Sequence, residues 1–286
     1  MALPTFFIIG APKAGTTSLH YYLDQHPQVQ MSAIKEPNFF ISPRTRLDAR
    51  RRVGDLGRYE RLFDPAMGVR GEASTSYADH PRREGVPERI KELVPDAKFI
   101  YLVRDPVDRT VSHYRHLVAS EGERRSLKEV LSDLSRPYSP CICPSLYALQ
   151  LERYLQSFPQ ERMLVIDHAE LLADRRSTLG EVFDFLSVDG TLDSSRFDEE
   201  LLRSSERHTY PPGFARLVGH VVVPCLQWLP ASVRRSLRRS VERAFLPPLE
   251  TSTLDDESRA RLEELYTDEV ERLRALTGKT FSAWSV

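Results

Sequence analysis

The stretch FFIIGAPKAGTTSLHYYL, residues 6–23, restricts what this chain can fold into more than any other. The apolar run Phe6, Phe7, Ile8, Ile9 ends at Gly10. The loop Ala11-Pro12-Lys13-Ala14-Gly15 follows, and Thr16-Thr17-Ser18 then opens a pattern with Leu19, Tyr22 and Leu23 on one face. Apolar run, glycine-bounded loop and amphipathic run read as strand, tight turn and helix. Backbone N–H groups at the start of such a helix have no intrahelical acceptor, and the helix dipole adds roughly half a positive charge there, so the turn suits an anion.

Further strand candidates recur at 69–72 (VRGE), 98–103 (KFIYLV) and 162–167 (RMLVID). Helical patterns separate them at 86–94, 106–119, 145–157 and 176–186. Short strands alternating with helices predict a three-layer, P-loop-like α/β fold, with a central, mainly parallel sheet flanked by helices. Right-handed crossovers then place ligands at the C-terminal ends of the strands. A last helix is expected over about 255–276, with Thr253 as its cap. All 286 residues are expected to form one domain, with a variable, lid-like helical segment at about 214–248.

Forty basic residues against forty-one acidic ones give a net charge of −1, which excludes a global field for nucleic acid. The start, MALPTFFIIG, lacks the basic flank and apolar core of a signal peptide, and no run of about 18 apolar residues suggests a transmembrane segment. Three cysteines, Cys141, Cys143 and Cys225, do not make a disulfide framework. A cytoplasmic protein is the expectation. His80, His113, His116 and His168 show no ligand spacing and Cys141-x-Cys143 has no second pair, so no metal site is expected.

The loop departs from the Walker A pattern G-x-x-x-x-G-K-[ST]. Gly10 and Gly15 keep the spacing, but Thr16 stands where the lysine belongs and Lys13 lies inside the loop. Pro-Lys-x-Gly-Thr-Thr-Ser closely resembles the 5′-phosphosulfate loop of sulfotransferases that use 3′-phosphoadenosine 5′-phosphosulfate (PAPS). That resemblance implies a donor sulfate held by Lys13, Ala14, Gly15, Thr16, Thr17 and Ser18. It also implies a second cradle for the 3′-phosphate, and YLVRDPVDRTVSHYRH matches the family pattern R-[DN]-P-x-x-R-x-x-S-x-Y through Arg104, Arg109, Ser112 and Tyr114. Arginine suits phosphate geometry. Taken alone, Arg104 reads equally as a strand-end charge paired with Asp105 or Asp108.

The segment KEPNFF (35–40) looks like the one bearing the catalytic glutamate in heparan-sulfate sulfotransferases and their bacterial relatives. By that resemblance Glu36 is the base that activates the acceptor; Lys35 reads either as a contact to donor sulfate or acceptor or as a plain solvated lysine. GEASTSYADHP (71–81) resembles the E-K-[ST]-P-x-Y stretch beside the acceptor, with Ala73 in place of the lysine. Glu72, a second candidate base, Ser74 and Tyr77 are the contacts left there. Ser145 and Tyr147 resemble a scaffold helix that reaches the nucleotide. In SSERHTYPP (204–212), Arg207 is the candidate for a loop closing over the 3′-phosphate.

Residues 214–248 fall outside the resemblance. Arg234, Arg235, Arg238 and Arg239 beside Val233, Leu237 and Val241 form an amphipathic stretch suited to peripheral contact with an anionic partner, or simply to a solvated face. The resemblance as a whole implies sulfuryl transfer from PAPS to a hydroxyl, in preference to an amine, of a small molecule or glycan, releasing 3′,5′-adenosine bisphosphate without a metal. Two rivals stay open. A P-loop metabolite kinase has Thr16 and the missing Walker B aspartate against it. A non-catalytic nucleotide-binding module would keep the fold without the chemistry. The acceptor and the oligomeric state are not written in the motifs.

Overall fold

The computed structural model describes residues 2–43, 45, 49–50, 52–121, 123–132, 139–192, 194–198 and 254–286. Its sheet contains β1 (Phe6–Gly10), β2 (Val29–Met31), β3 (Val69–Ala73), β4 (Lys98–Val103) and β5 (Met163–Asp167), in the spatial order β2-β3-β1-β4-β5. Each pairing is parallel. β1 is fully buried along its length, as a central parallel strand covered on both faces must be.

Around the sheet lie α1 (Thr16–Leu23), α2 (Leu56–Glu60), α3 (Val86–Leu93), α4 (Pro106–Glu121), α5 (Leu127–Ser132), α6 (Tyr147–Leu155), α7 (His168–Ala173), α8 (Arg175–Leu186) and α9 (Asp256–Thr277). The strands and helices expected from periodicity are present, most within two residues of their expected ends. Four elements escaped periodicity: β2, α2, α5 and α7, each of three to six residues. Runs that short are below the length at which periodicity separates strand from helix. The final helix is capped by Asp255, whose carboxylate accepts from the Ser258 amide at 2.8 Å and the Ser258 hydroxyl at 3.0 Å. Thr253, the expected cap, lies outside the described residues, as do Arg207 and all of 214–248.

Alternation along the strands sends side chains to both faces. Phe7 and Phe99 are register partners on β1 and β4, and their rings stack at 5.7 Å. Tyr154 and Phe158, at the end of α6, cover Phe99 edge-on at 4.9 and 4.5 Å. One residue along, Phe6 packs over Gly71 of β3. A Cβ on Gly71 would overlap the Phe6 ring and lie 2.7 Å from Met31 Sδ, so the close approach of β1, β2 and β3 requires glycine there.

The chain runs from β3, on one side of β1, across to β4 on the other. Loops leaving β1 and β4 therefore diverge at that point, and the crevice opens at the C-terminal ends of these two strands. Among the described residues, no helix is long and apolar enough to cross a membrane.

Candidate active site

The loop after β1 makes the first wall of the crevice. Lys13 and Gly15 take positive φ, 75° and 95°, and Gly15 is the N-cap of α1 without any side-chain cap bond. No acidic residue occupies the first turn, so nothing in the helix neutralises its positive end. Sequence reasoning offered the amides of residues 14–18 as one cradle, and the structure narrows it. The Ala14 amide bonds Ala11 O at 3.1 Å and the Ser18 amide bonds Gly15 O at 3.0 Å. The amides of Gly15, Thr16 and Thr17 are left as the candidate cradle, with the Thr17 side chain exposed and the Ser18 side chain half-buried. A Cβ at Gly15 would meet His168 Cδ2 at 3.0 Å.

β4 delivers the second wall. Arg104 follows its last residue, and Pro106 starts α4 at N1, where its missing N–H costs nothing. The Arg104 guanidinium pairs with Asp108 at 3.2 Å and is 24% exposed, against 61% for the aspartate. A pair this exposed is worth roughly 0–1 kcal/mol and yields readily to a phosphate. The Arg104 carbonyl accepts from the Tyr147 hydroxyl at 2.7 Å, which fixes the strand end. Ser112, two turns into α4, is buried.

Tyr147 and Ser145, offered as nucleotide contacts, are instead scaffold: each is 1% exposed. Ser145 Oγ accepts from Arg109 Nε at 2.5 Å and lies within bonding distance of Thr110 Oγ1, which bonds Tyr266 on α9 at 2.8 Å. Arg109, wholly buried, also donates to the Cys141 carbonyl. These bonds clamp the start of α4 to the 139–145 loop and to α9. Nε and Nη2 of this buried arginine are spent on hydroxyls and a carbonyl as a cross-brace, while its Nη1 is left without a hydrogen-bond partner.

Glu36 stands over the third wall, at the end of β3. Its amide bonds Ala73 O at 2.9 Å, and its carboxylate accepts from Lys35 Nζ at 3.0 Å and from Thr75 Oγ1 at 3.3 Å. Glu36 and Asn38 both hold positive φ, 59° and 53°. Two such non-glycine residues persist only where surroundings over-determine them. The Asn38 side-chain amide donates to Glu36 O at 3.0 Å, and the Asn38 backbone amide donates to Ser74 Oγ at 3.2 Å. The Glu36 side chain is 40% exposed, open to an incoming molecule.

Beneath this loop lies Glu72, 0% exposed. It accepts from Ser74 Oγ at 2.6 Å and from the Tyr59 hydroxyl, while Tyr77 accepts the Phe40 amide at 3.3 Å nearby. Burial pushes the Glu72 carboxyl up to about 7 despite these hydroxyl donors. It is sealed away from the crevice, so of the two candidate bases only Glu36 is reachable by an acceptor.

The crevice contains histidines that sequence reasoning set aside. His168 begins α7 and has its acidity shifted down to about 4, by burial first and then by the Arg104 charge. His113 on α4 is held well below its ordinary value, by burial first and then by Arg109, His116 and Lys13. Among the described residues, no group of three His, Cys, Asp or Glu could hold a metal ion.

The sulfotransferase domain family matches residues 3–210. The chain belongs to the sulfotransferase family. A sulfotransferase from Alicyclobacillus acidocaldarius, solved by crystallography, superposes with a TM-score of 0.72 at 28% identity over 100% of both chains. Human bifunctional heparan sulfate N-deacetylase/N-sulfotransferase 3 is 28% identical across 99% of this chain, which spans 31% of that protein's length. Mouse carbohydrate sulfotransferase 15 is 27% identical over 65% of this chain and 44% of its own. The family explains the misplaced lysine: Thr16 in the Walker position belongs to a sulfotransferase loop, and the kinase reading loses its footing.

Proposed function

We propose that this sulfotransferase moves a sulfuryl group from PAPS to a hydroxyl, in preference to an amine, of a glycan or small molecule. The observation that carries the reading is a pair of adjacent strand exits, the uncapped Gly15 turn into α1 after β1 and Arg104 leading into α4 after β4. They suit the two charged ends of one adenine nucleotide. Glycan acceptors are favoured by the heparan sulfate and carbohydrate enzymes among its relatives.

In this scheme Lys13 and the first-turn amides of α1 neutralise charge that develops on the oxygen bridging sulfur and the 5′-phosphate. Arg104 and Ser112 fix the 3′-phosphate. Glu36 takes the acceptor proton as the new S–O bond forms and the old one breaks, and 3′,5′-adenosine bisphosphate leaves with the electron pair. Sulfuryl transfer develops less negative charge than phosphoryl transfer, so cationic side chains and amides can do what magnesium does in kinases.

The test is calorimetry with adenosine 3′,5′-bisphosphate, followed by incubation with isotope-labelled PAPS and a panel of glycan and phenolic acceptors, read by mass spectrometry for an added sulfate. Bisphosphate binding with a labelled product supports the proposal. Binding without any product across the panel would make the protein a nucleotide-binding module instead.

A further inference from the structure

We propose that His168 is an additional donor-binding residue, standing between the two anion cradles and taking up a proton as the nucleotide's anionic groups enter them. The inference rests on the donor reading above.

Strand register places it there. β4 and β5 run parallel with Val103 opposite Asp167, so Arg104 and His168 are the next residues on neighbouring strand ends. β4 in turn pairs with β1, whose exit carries the glycine loop. The His168 ring closes the triangle by packing on Gly15: the position of a Gly15 Cβ lies 3.0 Å from Cδ2 and 3.7 Å from Nε2. The imidazole thus touches the sulfate cradle while feeling the arginine of the other.

Its backbone is held firmly. The Asp167 carboxylate caps α7 through the Ala169 amide at 3.0 Å and accepts from Trp284 Nε1 at 3.1 Å, while Glu170 reaches back to the Asp167 amide at 3.3 Å. The residue is half-buried, not sealed. No part of the catalytic scheme uses it.

The charged groups acting on the imidazole are Arg104 at the end of β4 and Asp108 in the first turn of α4, and the uncharged Gly15 lies against it. Burial and Arg104 outweigh Asp108, so without an anion the ring is neutral near pH 7. A phosphate or sulfate ester arriving between Arg104 and Gly15 reverses the sign of that field. An opposite charge within about 4–6 Å raises a histidine by about 1–3 pH units. The ring then binds a proton and can donate a charge-assisted bond. By linkage, donor affinity must rise as pH falls.

Calorimetric titration of adenosine 3′,5′-bisphosphate into the full-length wild-type chain, His168→Gln and His168→Phe, in buffers of different ionisation enthalpy, counts the protons taken up. The nucleotide's own phosphate titration is common to all three proteins and cancels in the comparison. His168→Phe keeps a ring on Gly15, so a packing defect in the glutamine variant is recognised. Wild type should take up more protons at pH 5.5 than either variant. The variants should bind about 3- to 10-fold more weakly at pH 5.5 and within about twofold of wild type at pH 8. Equal proton counts, or an affinity loss of the same size at both pH values, would overturn the role of His168 and leave the donor site standing. Absence of any bisphosphate binding to wild type would remove the donor site and this inference with it.

Discussion

Replacing Glu72 by glutamine tests the physical account of the site at its most buried point. The carboxyl has no exposed surface, and burial raises it from an ordinary 4.5 to about 7, although Ser74, Tyr59 and Tyr77 donate to it. The sign follows from linkage. A folded-state value above the unfolded one means that folding binds a proton, so the contribution is fully present below about 4.5 and is lost as pH rises through about 7. At roughly 1.4 kcal/mol per pH unit, the wild-type protein should lose up to about 3 kcal/mol of folding free energy between pH 4.5 and pH 8 on account of this one group. Glu72→Gln keeps the shape and cannot ionise. Urea denaturation of both proteins at pH 5, 6, 7 and 8 gives the difference directly, and titrations common to both cancel. The gap should move in favour of the variant by about 2–3 kcal/mol over that span, most steeply between about pH 5 and 6.5, where the folded carboxyl is still protonated and the unfolded one is not. A gap that stays flat with pH would mean that Glu72 ionises as freely as in the unfolded chain, and that the buried hub beneath Glu36 is misread.

Three further outcomes are expected. Glu36→Gln should bind adenosine 3′,5′-bisphosphate normally and lose about 10²-fold or more in turnover of labelled PAPS with a responsive acceptor; a rate near wild type would move the base elsewhere. Arg104→Ala should weaken bisphosphate binding by about 1.5–3 kcal/mol in calorimetry, the size of a hydrogen bond to a charged group, and an unchanged affinity would refute the second cradle. Gly71→Ala forces a methyl into the Phe6 ring and against Met31, so thermal unfolding should show a loss of about 1–3 kcal/mol, with bisphosphate affinity preserved in whatever protein folds.

The Glu36 loop shows how a short motif acquires its geometry from afar. Lys35-Glu36-Pro37-Asn38 by itself reads as a solvated turn. Its two left-handed residues are held by the Ala73 carbonyl and the Ser74 hydroxyl, some 36 to 37 positions later in the chain. Ser74 in turn leans on Glu72. The family resemblance put Glu36 forward as the base and left Glu72 as a second candidate, because the two are chemically alike on paper. Only burial separates a carboxylate that can meet an acceptor from one sealed under the loop.

From the sequence alone came the strand-loop-helix at 6–23, the alternating α/β order, the parallel sheet and the two phosphate motifs. All of these rest on local signals: glycine spacing, apolar runs and the proline that opens α4. Such signals survive without neighbours because backbone sterics and the helix or strand period act over a few residues. What the tertiary structure decided was the strand order, and with it which distant segments share the crevice. β1 sits between β3 and β4, so the segments carrying Gly15, Arg104 and Glu36 leave neighbouring strand ends although almost ninety residues separate Gly15 from Arg104. The same arrangement sets His168 against Gly15 and beside Arg104, buries Arg109 as a brace, and turns Ser145 and Tyr147 inward. These placements depend on long-range packing and on how far each group is removed from water, and neither quantity is carried by a residue's identity or by its spacing from the next.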